Sequence, residues 1–141
     1  MGLDNMAAIR NIVSSDDIST KYEYLTMSRD AFEEVPNCLV GGMLSGHGQG
    51  PSIRGKVYAE FVRHITGVDL YQEIIDENVV QHMATRLQGF IDVDPNEGRL
   101  RRTWGMSRDE ALALAKWFSV VAQHKGVVLG WWGIRNCNSL T

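Results

Sequence analysis

A glycine-rich stretch between positions 40 and 57 (VGGMLSGHGQGPSIRGKV) holds the residue types best suited to binding a ligand. Glycines allow successive backbone N–H groups to point into one concavity, and nearby cations add full positive charges. A helix that begins directly after the stretch adds the partial charge of its N-terminus. The pattern predicts a site for an anionic small molecule such as a nucleotide. The candidate ligand-binding residues are His47, Gly48, Gly50, Ser52, Arg54 and Lys56.

The end of this stretch matches part of a nucleotide-binding P-loop but lacks one essential group. Gly50 to Lys56 fits G-x-x-x-x-G-K, yet Val57 stands where a Ser or Thr hydroxyl must bind Mg²⁺. A true P-loop is therefore not expected. The simpler alternative is a surface loop of residues 41–56 whose Arg54 and Lys56 only decorate an exposed helix end.

The histidines offer little support for catalysis or metal binding. They stand at positions 47, 64, 82 and 124, and no pair has the H-x-x-x-H or H-E-x-x-H spacing of a metal site. His47 lies between glycines, so it is the one most accessible for acid–base chemistry. An enzyme that uses His47 with Arg54 and Lys56 stays open as an alternative. We assign no catalytic residue, no metal and no cofactor.

A second candidate site is the basic segment GRLRRTW at positions 98–104. The alternation of arginines with Leu100 predicts a strand with one charged face. Arginines beside an aromatic ring can bind a partner, whereas the simpler interpretation is an edge strand that charge protects from aggregation. In a strand at 127–134, the adjacent tryptophans would face opposite sides, so one is free for a contact. The candidate interaction residues are Arg101, Arg102, Trp104 and Trp132.

Apolar periodicity and capping signals predict the elements that must position these residues. Ser107 and Glu110 have capping-box spacing, and the apolar run that follows predicts a helix buried on nearly all sides. Ser52 is a candidate cap for an earlier helix, and Gly67 and Gly126 are candidate left-handed terminators. We expect helices at 54–66, 69–88 and 107–125, strands at 20–26, 99–104 and 127–134, and a short helix at 5–13.

Composition predicts one domain, residues 1–141, of the α+β class and mostly α, with four or five helices against a small antiparallel sheet. Apolar residues make up 44% of the chain and the net charge is −3, which argues against disorder and against a non-specific nucleic-acid binder. The two cysteines, Cys38 and Cys137, form no zinc motif and suit a reducing cytoplasm. No apolar run has the length of a membrane span, and no signal peptide is recognised.

These observations favour a small cytoplasmic interaction protein of the inhibitor, immunity or anti-defence type, which acts by binding rather than by catalysis. A binding protein for an anionic, nucleotide-like small molecule, which binds through the glycine-rich loop 41–56, is the alternative, followed by the His47 enzyme. The expected partner is a protein, and a second copy of the chain is one such partner. Neither a nucleic acid nor a membrane is an expected partner.

Overall fold

The computed structural model describes residues 3–12, 20–24, 32–36, 38–41, 50–93 and 95–131. This part of the chain contains four helices and a small antiparallel sheet, so the predicted, mostly α, α+β class is confirmed. The strands are β1 (Asp4–Ile12), β2 (Thr20–Tyr24), β3 (Ser52–Ile53), β4 (Ile74–Ile75) and β5 (Val127–Trp131). The helices are α1 (Gly55–Thr66), α2 (Glu77–Asp92), α3 (Glu97–Trp104) and α4 (Arg108–Gln123).

Strand β1 organises the sheet, whose order is β2-β1-β5-β4 with β3 also paired to β1. The first half of β1 pairs with β5. On the opposite edge of β1, the second half pairs with β2, and Asn5 and Met6 of the first half pair with β3. The short helix expected at 5–13 is therefore wrong. Residues 3–8 are all buried, and a strand covered on both faces lacks the alternation by which strands are recognised.

Helix α4 is buried on most of its sides, as its sequence predicts. The capping box is present, because the Ser107 hydroxyl accepts from the Glu110 N–H and the Glu110 carboxylate accepts from the Ser107 N–H, both at 3.1 Å. Further along α4, Trp117 is fully buried and its indole N–H donates to the carbonyl of Gly50 at 2.9 Å. This bond joins the end of the glycine-rich stretch to the core. The buried residues of α4 are Ala111, Ala113, Leu114, Ala115, Trp117, Phe118, Val120, Val121 and Ala122.

The end of α4 corrects the role predicted for Gly126. Lys125, not Gly126, takes the left-handed conformation, with a φ of 54°. The N–H groups of Lys125 and Gly126 donate to Ala122 and Val121, which is the Schellman pattern. Gly126 is needed for a different reason, since a Cβ there would lie 2.8 Å from the carbonyl oxygen of Ala8.

The start of α1 also differs from the prediction. Ser52 is buried in β3 and does not cap the helix; the N-cap is Arg54, whose side chain makes no capping bond. Pairing of β3 with β1 fixes this start instead, and the Lys56 N–H donates to the carbonyl of Leu3 at 3.2 Å. At the other end, Gly67 is left-handed with a φ of 77°, as predicted.

The helix expected at 69–88 begins later than predicted. Asp76 is its N-cap and accepts from the Val79 N–H at 3.0 Å, so α2 starts at Glu77. The preceding residues include strand β4, which adds to β5 at the sheet edge. The apolar residues of that segment, Leu70 and Ile75, are buried and thus resemble a continuation of the helical stripe.

The strand expected at 99–104 is wrong, because these residues form the second part of helix α3. Asn96 caps it by accepting from the Arg99 N–H at 3.0 Å, and Gly105 ends it in the left-handed conformation with a φ of 66°. Leu100 and Trp104 stand one turn apart and face inward, whereas the arginines between them are exposed. A short amphipathic helix therefore replaces the charged edge strand.

A buried tyrosine links α1 to α4. The Tyr58 hydroxyl donates to the Glu110 carboxylate at 3.1 Å and accepts from the Val40 N–H at 2.8 Å. The Glu110 carboxylate thus serves both the capping box and this contact between helices. Burial raises the pKa of Tyr58 well above its usual value. The phenol consequently stays neutral in the folded protein at alkaline pH.

Replacement of Gly55 by Ala should destabilise the protein. A Cβ at Gly55 would overlap the side-chain oxygen of Asn5. Asn5 is fully buried, and its side-chain N–H donates to the carbonyl of Leu70. We expect Gly55→Ala to lower the free energy of unfolding by about 1–3 kcal/mol or more, measured by urea denaturation. Gly89→Ala is the matched control: nothing lies within 4 Å of its Cβ, so about 0.5–1 kcal/mol of stabilisation is expected. Equal effects at the two sites would contradict this packing.

Tyr58→Phe should alter how stability depends on pH. Above pH ~10 an unfolded tyrosine loses its proton while folded Tyr58 keeps it, so the folded state binds more protons and stability falls as pH rises. The variant should be about 1–3 kcal/mol less stable at pH 7, since Val40 and Glu110 lose a partner. Its further loss between pH 7 and 11 should be smaller than that of the unaltered protein. Urea titrations at both pH values measure this, and parallel losses would refute the assignment.

Candidate functional site

A hollow of about 340 Å³ lies where the end of α1, the end of α2 and helix α3 meet. Its wall is mainly apolar, and Arg99 is the only formally charged residue among the described ones that line it. Volumes of ligand pockets begin near ~300 Å³, so the hollow suits one small group rather than a whole cofactor. The lining residues are His64, Phe90, Val93, Pro95, Asn96, Arg99, Leu100 and Trp104. We call it the Val93 hollow.

A cluster of aromatic rings builds one wall of the Val93 hollow. Phe61, only 1% exposed, makes edge-to-face contacts with Phe90 and Trp104, at centroid distances of 5.5 and 5.1 Å. His64 lies with its ring centroid 5.3 Å from that of Trp104. Edge-to-face pairs add about 0.5–1.5 kcal/mol beyond the burial of their area. The rings thus hold α1, α2 and α3 in one fixed arrangement.

A second hollow of about 360 Å³ lies on the other side of Trp104, between α1, the residues that follow it and α3. It is more polar, with both Lys56 and Glu60 in its lining. We call it the Val57 hollow; its lining residues are Lys56, Val57, Ala59, Glu60, Phe61, Tyr71, Thr103 and Trp104. Val57 and Tyr71 are 46% and 45% exposed, which is high for an aliphatic and an aromatic residue. The two hollows and the arginines of α3 together form what we call the α1–α3 face.

The α1–α3 face carries several cations without a charged partner. The charged groups of these cations have no carboxylate of the described residues within 4.0 Å, and each of these side chains is exposed. They are Lys56, Arg99, Arg101 and Arg102. Glu97, the acidic residue of α3, accepts from the backbone N–H of Arg108 at 3.3 Å. The chain as a whole has a net charge of −3, so this face stands out as a local basic region.

The residues predicted for anion binding have separate environments where they are described. Gly50 is buried with its carbonyl bound to Trp117, and Ser52 is buried in β3. The Arg54 guanidinium is 3.1 Å from the carboxylate of Asp4, a side chain only 4% exposed. Lys56 lies in the Val57 hollow. His47 and Gly48 lie outside the described residues, so the proposed loop site stays a prediction.

The predicted interaction residues fare differently, since three of the four lie on α3. Arg101 and Arg102 are exposed and Trp104 is half-buried between the two hollows, whereas Trp132 lies outside the described residues. The other residues of the two hollows were not predicted from the sequence as site residues; those that complete the site are Val57, His64, Tyr71, Phe90 and Val93. A local signal was available for α3 itself, in Asn96 and Gly105 at the positions of a cap and a left-handed terminator.

Comparison with protein-family models, with curated proteins and with solved structures finds no match. No helix in the described ranges is long and apolar enough to cross a membrane. Over the same ranges, no three of the His, Cys, Asp and Glu side chains are grouped so that they could hold a metal ion. Function is therefore inferred from the geometry of the α1–α3 face.

Arg54 and Lys56 should respond differently to the loss of their charge. Arg54→Met removes a charged partner of the buried Asp4 carboxylate, so we expect a loss of about 1–3 kcal/mol in the free energy of unfolding. Lys56→Met is the matched control, because it removes the same charge from an exposed side chain; we expect a change within about 0.5 kcal/mol. Denaturant unfolding of both variants measures the difference. If both substitutions were neutral, Arg54 would not have the structural role that its ion pair indicates.

Proposed function

We propose that the chain is an interaction protein of the inhibitor, immunity or anti-defence type, which binds a protein partner through the α1–α3 face. The observation that carries the proposal is the position of Trp104, half-buried between two hollows, with Arg99 lining one and Lys56 the other; neither cation has a carboxylate partner among the described residues. Trp, Tyr and Arg are the residues most enriched at the energetic centres of protein interfaces. The α1–α3 face contains all three kinds, with Tyr71 and the α3 arginines beside Trp104.

The charge of the face supports a partner with an acidic surface. Its four cations, which have no carboxylate partner among the described residues, attract carboxylates locally and accelerate encounter with such a surface. A nucleic acid is less favoured, because a long polyanion also meets the rest of a chain whose net charge is −3. A protein partner can place a compact acidic patch against this one face.

Binding of a protein partner is favoured over the alternative in which the glycine-rich stretch binds an anion. That alternative needs Arg54 and Lys56 to converge on one ligand, whereas Arg54 is paired with Asp4 and Lys56 lies beside Trp104. We further propose a cytoplasmic location, because two cysteines in 141 residues are ordinary for a protein of a reducing compartment. The described one, Cys38, is a free thiol.

Substitutions on the face should reduce binding of the natural partner. In affinity capture from cells that produce the protein, Trp104→Ala should weaken retention of the specific partner at least about thirtyfold, as for a central interface tryptophan. Arg99→Glu should weaken it about tenfold and make it less sensitive to salt, because a charge that steers the partner is reversed. Titration of the captured partner against each variant measures both effects.

Lys125→Glu is the matched control for Arg99→Glu. Both residues are exposed and each reversal takes the net charge from −3 to −5, but Lys125 follows the C-terminus of α4 and lines neither hollow. The thermal midpoint of every variant shows that it is folded. A partner that binds the Trp104 and Arg99 variants as tightly as the control would show that the α1–α3 face is not the binding surface.

A further inference from the structure

The Val93 hollow is the more apolar of the two hollows on the α1–α3 face. We infer that it receives one bulky apolar side chain, aromatic or leucine-like, from a short acidic segment of the partner protein. This inference rests on the proposed function and names the chemistry that the face would recognise. Its occupant enters beside Trp104, and the flanking acidic residues lie over the arginines of α3.

The lining of the Val93 hollow matches an apolar group. Phe90, Val93, Pro95, Leu100 and Trp104 supply most of its wall. Val93 is 75% exposed, the highest exposure among the large apolar residues that the structure describes. Covering this side chain and the adjoining wall would remove apolar surface from water, at about 25 cal/mol per Å². A volume of about 340 Å³ holds one side chain and its immediate backbone, and so favours an anchor residue.

The hollow is already formed before anything binds. Phe61 holds Phe90 and Trp104 by edge-to-face contacts, and Leu100, only 1% exposed, is fixed in the core. The capping bond from Arg99 to Asn96 fixes the first turn of α3, from which Arg99 projects. A preformed pocket avoids most of the entropy cost of ordering side chains on binding. Affinity can therefore come from a short segment rather than from a large surface.

Charge complementarity identifies the residues that flank the anchor as acidic. Arg99 lines the hollow, and Arg101 and Arg102 continue along the exposed side of α3 without a carboxylate partner in the described part of the chain. The nearest described carboxylate of α2, that of Asp92, accepts from Gln88 and lines a different groove, between α2 and α4. The Val57 hollow carries charges of both signs, Lys56 and Glu60, and so selects less strongly for an acidic segment.

The test uses the intact chain labelled with 5-fluorotryptophan, with the fluorine resonance of position 104 assigned by Trp104→Phe. The probe is a synthetic peptide with one phenylalanine between acidic residues on both sides. Two control peptides replace the phenylalanine by alanine or the acidic residues by lysine. We expect the probe to shift the resonance of Trp104 in a saturable way. Each control peptide should bind at least about tenfold more weakly, since one loses the anchor and the other loses the charge complement.

Two valine variants distinguish the hollows on either side of Trp104. Val93→Glu places a negative charge, of the same sign as the acidic probe, at the Val93 hollow and should weaken binding of the probe at least about tenfold. Val57→Glu, the matched control, makes the same change in the Val57 hollow and should weaken it less than about threefold, through long-range charge alone. Both valines are well exposed, at 75% and 46%, so both variants should fold.

The outcomes separate this inference from the proposed function. Tight binding that depends on the phenylalanine, the acidic residues and Val93 supports it. No saturable shift at Trp104, or a larger loss from Val57→Glu than from Val93→Glu, overturns it. In either of those cases, continued loss of the natural partner with Arg99→Glu would leave the α1–α3 face as an interaction surface of different specificity. If the variants of the face weakened binding of neither the probe peptide nor the natural partner, the proposed function would be overturned as well.

Discussion

The architecture depends on the need to bury helix α4. Nine of its sixteen residues are buried, and they are distributed around the helix rather than along one stripe. Such a helix exposes apolar surface unless neighbours cover it on several sides at once. Helix α2 and strand β5 pack against it, Phe32 lies with its ring centroid 6.1 Å from that of Trp117, and Tyr58 reaches Glu110 from α1. These contacts leave little freedom in where the other elements lie.

The candidate site follows from this arrangement because α1 and α3 form an outer layer. Helix α1 directs Tyr58 and Phe61 inward, and α3 reaches the core through Leu100, its one fully buried residue. Phe61 then joins the layers, since its two ring contacts belong to α2 and α3. The outward sides of α1 and α3 are not required for core packing. Their aromatic and cationic residues are consequently available for contacts other than core packing, and they lie in or beside the Val93 and Val57 hollows.

Local signals explain which elements could be predicted from sequence. Three signals act within a few residues, and the prediction from each agrees with the structure. They are the capping box of α4, the apolar run after α4 that forms β5, and the glycine that ends α1. Strand β1 could not be recognised in this way. Residues 4–8 of β1 are buried on both faces, and the strand pairs with β2, β3 and β5, of which β3 and β5 are distant in sequence. Its conformation is decided by those partners, and they are invisible in a short window.

The site shows the same division between local and distant information. Arg101, Arg102 and Trp104 could be identified by residue type, because a dense basic segment beside an aromatic residue is visible in one window. His64, Phe90 and Val93 could not, since only the meeting of three helix ends brings them to Trp104. Their contribution depends on tertiary packing.

The helical conformation of α3 decides which residues its arginines and Trp104 lie beside. In a strand, successive side chains alternate between two faces, so the arginines would guard an edge and Trp104 would be one more alternating residue. In the observed helix, Leu100 and Trp104 share the inner side, with Arg99 next to one hollow and Thr103 next to the other. Trp104 thereby becomes the wall between two concave surfaces, with cations on the outside. The helical period therefore places the arginines beside two concave surfaces instead of along the edge of a sheet.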